Sequence, residues 1–141
     1  MPDIDEQDER IVKILSGGDK IPEVNGRTLA RYLAHIKANL KVHCHLTGTE
    51  DFSWEERFVF GDGNKAEYKE LKMTRASYTD TFELLGFDKE LSGFRGILAN
   101  VRRISDRKTF ILPLADLKPT DELSENHQFL DDYSVWFFNN R

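Results

Sequence analysis

The chain has 141 residues, enough for one domain of ordinary size with a buried core. Hydrophobic residues make up 39% and aromatics 11%, too much apolar material for a disordered chain even with 32% charged residues. Its 25 acidic against 20 basic residues give a net charge of -5, a poor starting point for a phosphate-binding surface, so nucleic acid is disfavoured as a partner.

In chain order, Asp5 to Ser16 reads as a short amphipathic helix. Glu6, Asp8 and Glu9 lie at its favourable end, Ile4, Ile11, Val12 and Leu15 form an incomplete apolar stripe, and Gly17-Gly18 stops it. Asp19 to Asn25, with Pro22, is a linker, so residues 1–25 are expected to form a helix and linker ahead of a single α+β domain over 26–141. Leu29, Tyr32, Leu33, Ile36 and Leu40 follow helical spacing, with Asn25 or Thr28 as cap.

Strand signals follow. Val42, Cys44 and Leu46 alternate with His43, His45 and Thr47, as in a half-buried strand. Arg57 to Phe60 reads as a short aromatic strand, Gly61-Asp62-Gly63-Asn64 as a turn, and Tyr68 to Met73 as a strand in preference to a helical turn. Thr81 to Gly86 carries Phe82, Leu84 and Leu85. Gly96–Ile104 and Thr109–Pro113 form a hairpin about the polar turn Ser105-Asp106-Arg107-Lys108, with Ile97, Ala99, Val101, Phe110 and Leu112 inward. Leu114 to Leu117 is a helical turn or strand end stopped by Pro119. From Asn126 to Phe138 the apolar positions Phe129, Leu130, Tyr133, Trp136 and Phe137 recur as on a helix with a wide face, which must pack on the sheet or a partner. Short strands with helices at the chain ends predict an α+β fold: a small, strongly bent antiparallel sheet, SH3-like in barrel architecture, with N-terminal helices and a C-terminal helix.

Few constellations carry chemistry. The lone Cys44 excludes an intramolecular disulfide and, on an inward position, reads as inert. The acidic N-terminal segment and the lack of an apolar run of about 18–20 residues predict no leader and no membrane span, hence a cytoplasmic protein. His43 and His45 point to one strand face with a spacing that suits zinc, with His35 and His127 as further ligands if the fold brings them close. Hydrogen-bonded surface histidines are the plainer reading. Asp62-Gly63-Asn64 begins like a helix-loop-helix calcium loop, but Glu67 stands where glycine is required and Met73 where glutamate is, which excludes that motif. Acidic pairs at Glu50/Asp51, Glu55/Glu56, Asp121/Glu122 and Asp131/Asp132 are ordinary solvated charges unless the fold makes them converge. Asp131/Asp132 stands out by interrupting an apolar helix. A nucleophile elbow, a phosphate-cradling glycine loop and a metalloprotease helix are all missing, so a non-enzyme is expected.

Val101-Arg102-Arg103, the run from Phe110 to Leu117 with Pro113-Leu114-Ala115-Asp116-Leu117 at its core, Asn126, and Phe129-Leu130-Asp131-Asp132-Tyr133-Ser134-Val135-Trp136-Phe137 carry a resemblance. They are similar to the small bacterial calcium-binding proteins typified by the cyanobacterial heterocyst calcium-binding protein. The resemblance implies a non-catalytic, non-EF-hand calcium binder, acting as a cytosolic buffer or modulator. The candidate ligands are Asp131 and Asp132 from the matched motif, Asp116 after its Pro-Leu step, and the loop acids Asp106 and Asp80, chosen for their chemistry alone. The alternative is a protein-interaction module in which Trp54, Phe58, Tyr68, Tyr78 and Phe94 line an aromatic groove and metal has no role.

Overall fold

The first helix begins where a carboxylate can cap it. Asp5 accepts a hydrogen bond from the Gln7 N–H at 2.6 Å, and α1 runs Glu6–Leu15 before Ser16 turns it off in the left-handed region. The computed structural model describes residues 5–61, 63–91 and 94–141; Ile4 of the expected stripe and Asp62 of the expected turn lie outside them. Asn25 and Thr28 form a reciprocal capping box at the start of α2, Gly26–Asn39. Its Leu29, Tyr32, Leu33 and Ile36 are buried, as their spacing predicts, and Ile11 and Leu15 of α1 join the same apolar cluster.

Among the described residues the architecture is α+β, with five α-helices and a five-stranded antiparallel sheet. The strands are β1 His45–Gly48, β2 Phe82–Phe87, β3 Leu98–Arg103, β4 Thr109–Pro113 and β5 Leu117–Pro119, in the order β4-β3-β2-β1-β5. The expected hairpin is β3 and β4, with Val101 opposite Phe110 and Ala99 opposite Leu112. A flat ladder would hold its outer strands about 19 Å apart, four spacings of about 4.8 Å. The single 3-10 turn Leu114–Asp116 joins the outer strands β4 and β5, and that short link reaches at most about 14 Å. The sheet must therefore curl, although its edges do not pair into a closed ring.

Helix α5, Glu125–Asn139, closes the core, capped by Ser124. It buries Leu130, Tyr133, Trp136 and Phe137, so the apolar tail packs on its own domain. The Trp136 ring stacks 5.0 Å from that of Tyr32, its indole N–H donates to the Pro22 carbonyl, and the Tyr133 hydroxyl accepts from the Ile97 N–H.

Two expected strands are helices. Arg57 to Phe60 falls largely within α3, Glu56–Val59, continuing a 3-10 turn over Ser53–Glu55, and Tyr68 to Met73 lies inside α4, Lys65–Thr74. Asn64 caps α4 through the N–H groups of Ala66 and Glu67, and the segment is rich in Ala, Glu, Lys, Leu and Met, all good helix formers. Neither helix has a buried residue, so no apolar stripe marked them in the sequence. The first strand also starts late. His43 has φ 66, which breaks the alternation and leaves Val42 exposed.

Candidate functional site

The five candidate acids fall in three places. Asp80 and Asp106 converge on Arg103 at the end of β3, whose side chain reaches the last turn of α4 in the helical insertion, the 3-10 turn, α3 and α4 that lie between β1 and β2. The Arg103 guanidinium donates to both Asp106 oxygens at 3.0 and 2.7 Å and to Asp80 Oδ2 at 2.9 Å. It also donates to the carbonyls of Lys72, Met73 and Arg75, which end α4 without intrahelical partners. Its side chain is only 3% exposed, so a buried arginine holds two carboxylates and a helix terminus at once. The hydrogen bond from Arg103 holds the Asp106 carboxyl down to about 2.

Asp131 and Asp132 lie on the face of α5 that meets α1. Asp132 is 2% exposed and takes the Arg10 guanidinium through both oxygens, at 2.8 and 3.0 Å; Gln7 Nε2 donates to Asp132 and Asp131 alike. The two charges that interrupt this apolar helix dock the N-terminal helix. Asp116 stands apart at the end of the 3-10 turn. Among the described residues no hydrogen bond reaches its carboxylate, and burial, with the Glu50 charge adding to it, pushes its carboxyl up despite nearby Arg95 and Arg141. Its main-chain carbonyl accepts from the Thr49 N–H at 2.9 Å.

A second polar hub was not foreseen. Glu55, one of the acidic pairs read as solvated, is fully buried. Its carboxylate accepts from the Tyr68 hydroxyl, the Ser77 hydroxyl and the N–H groups of Tyr78 and Phe52. Four donors satisfy a charge that would otherwise be costly to bury. Burial, then the bond to Glu55, raises the Tyr68 phenol to about 12. Glu55 and Arg103 together fasten an insertion whose helices bring no core of their own.

The histidines do not assemble a metal site. His43 Nδ1 pairs with Glu83 at 2.6 Å, and burial pushes the half-buried Cys44 thiol up. Among the described residues no group of three or more His, Cys, Asp or Glu side chains has the placement to hold a metal ion. Among them also, no helix is long and apolar enough to cross a membrane.

A groove of about 600 Å³ separates the helical insertion from β4 and the end of α5. Of the expected aromatic lining, Trp54 and Phe94 are there. Phe58 and Tyr68 instead stack on each other at 4.9 Å and pack edge-on to Trp54, and Tyr78 is not in the wall. Phe52, Phe110, Phe137 and Phe138 complete the aromatic surface. Its charged residues are Arg75, Arg95 and Arg141 against Asp116, three cations to one anion. Phe137 and Phe138 belong to the helix read as core, so periodicity gave no sign that its end also faces a groove.

No protein-family profile matches the chain, and no curated protein matches it in sequence. Among solved structures it is similar to one described as "Calcium binding protein in the calcium-binding form", with 11% identity and a TM-score of 0.56. The match covers 95% of this chain and 90% of the other. At that identity the likeness is one of fold, and it extends over nearly the whole arrangement of helices and sheet.

Proposed function

We propose that the chain is a non-catalytic calcium-binding protein that holds the ion on carboxylates outside any helix-loop-helix loop, as a buffer or modulator. The observation that carries this reading is the near-complete fold likeness to a protein solved in its calcium-binding form. Calcium takes six to eight oxygen ligands from carboxylates, carbonyls and water, and a linear motif is not required. Of the five candidate acids, Asp80, Asp106 and Asp132 already hold arginines, so an ion there must displace a guanidinium. Asp131 accepts from the neutral Gln7 amide, and among the described residues no hydrogen bond reaches the Asp116 carboxylate. Asp116, with Glu50 as the second carboxylate and neighbouring carbonyls and water, is the favoured centre. A divalent cation there would offset the burial of the charge and the repulsion from Glu50, and the side chains of nearby Arg95 and Arg141 would have to move aside for it.

A thermal melt with millimolar calcium, with magnesium as control, tests the reading. A ligand at 100 times its dissociation constant adds about 2.7 kcal/mol. Calcium should raise the melt, magnesium should not, and Asp116→Asn should remove the effect without lowering the apo melt. An identical melt in calcium, magnesium and chelator would end the reading.

A further inference from the structure

We propose that the groove beside β4 docks an extended peptide whose groove-facing side chains, every second residue, include both acidic and apolar ones, added as a strand to the β4 edge. Asp116 lines the same groove, so peptide binding is tested without calcium, and the proposal rests on three other features of the place.

The first is an open backbone edge. The Leu114 N–H donates to the Ile97 carbonyl and the Arg103 N–H to the Lys108 carbonyl, both in the register that pairs β3 with β4. Bonded pairs alternate in an antiparallel ladder, so Phe110 and Leu112 bond inward to β3. Thr109 and Ile111 therefore aim their N–H and C=O away from the sheet. Among the described residues no hydrogen bond reaches the main chain of Ile111, whose side chain is half exposed. Such an edge is a template for another strand, and Pro113, which has no N–H, marks where the pairing would stop.

The second is the apolar trough alongside. Trp54, Phe94 and Phe138 share its lining with Ile111 and Leu112, and Phe94 is 81% exposed. A strand on β4 would present every second side chain to this surface. The third is charge. A chain of net charge -5 places Arg75, Arg95 and Arg141 round one groove. Arg75 lies 5.6 Å over the Trp54 ring and Arg141 about 5 Å over Phe137 and Phe138, so these guanidiniums sit on the aromatic walls, where planar forks suit carboxylates. A second copy paired edge to edge would bring its own arginines to the same place, which disfavours self-association as the occupant.

The test is fluorescence anisotropy of a short rhodamine-labelled peptide that carries glutamate and phenylalanine in turn at every second position, with threonine between them, in chelator so that calcium plays no part. The same peptide with lysine for glutamate is the control. The acidic peptide should bind, more weakly as salt rises, and the lysine peptide about tenfold or more weaker. Ile111→Pro removes the outward N–H without touching the ladder to β3 and should weaken binding by about tenfold with little change in the melt. Should that variant unfold, Arg75→Ala with Arg141→Ala carries the test and should lose both affinity and salt dependence. Equal binding of the lysine peptide, no loss in the arginine variant, or no binding at all would overturn the proposal. So would a dimer by sedimentation that buries the β4 edge.

Discussion

Arg103→Leu is the substitution with the largest consequence. It deletes a 3%-exposed guanidinium that serves Asp80, Asp106 and the carbonyls of Lys72, Met73 and Arg75. The Met73 carbonyl keeps the Lys108 ammonium as donor at 2.7 Å, but those of Lys72 and Arg75 lose their partner. Removing one member of a buried ion pair costs about 3–5 kcal/mol. Asp80 and Asp106 are partly exposed and regain some hydration, so a loss of about 3 kcal/mol, near the lower bound, is expected. At roughly 3 °C per kcal/mol for a domain of this size, the melt falls by about 10 °C. Arg103→Lys keeps the charge without the planar fork and should lose about half as much. Urea unfolding gives the free energies, and hydrogen exchange in Lys72 to Arg75 should show the end of α4 opening first. A loss below about 1 kcal/mol would refute the assignment of Arg103 as the anchor of the insertion.

Three further outcomes follow from the same contacts. Asp106 is held to about 2 where the ordinary value is 3.8, so its pairing stabilises the fold above that ordinary value and is lost as pH falls through about 2. A carboxyl NMR titration should give that low midpoint, and Arg103→Leu should return it toward the ordinary value. Gly96 has φ +74, and an added Cβ would lie 2.5 Å from the Tyr133 hydroxyl and 2.7 Å from Phe137, so Gly96→Ala should cost about 2–4 kcal/mol in urea unfolding. Asp132→Ala removes the carboxylate that pairs with Arg10. Because Arg10 is about a third exposed, the loss should be only about 1–2 kcal/mol, and faster proteolysis within α1 should accompany it.

The elements that the sequence revealed are those that bury a face. Helices α2 and α5 and the β3–β4 hairpin carry apolar positions at the period of their own geometry, and most of those positions are in the core, with Phe129, Phe110 and Leu112 half-buried at its margin. Helices α3 and α4 bury nothing and are held by polar hubs, so their aromatic and aliphatic residues imitated a strand. The site was less legible for a related reason. Asp132 meets Arg10 across 122 positions and Arg103 reaches Arg75 across 28, pairings to which no local pattern points. Asp131/Asp132 breaks an apolar helix, and the physical reason is the docking of α1. Trp54 and Phe94 were foreseen in a groove, whereas the cations around it come from an insertion, a loop and the end of a helix.

Whether Asp116 is the calcium centre is tested most directly by amide NMR on the isotopically labelled chain. Calcium titration should move the Thr49, Glu50, Ala115 and Asp116 resonances saturably, and magnesium should leave them in place. Unmoved resonances at those four positions in saturating calcium, or equal movement with magnesium, would contradict it.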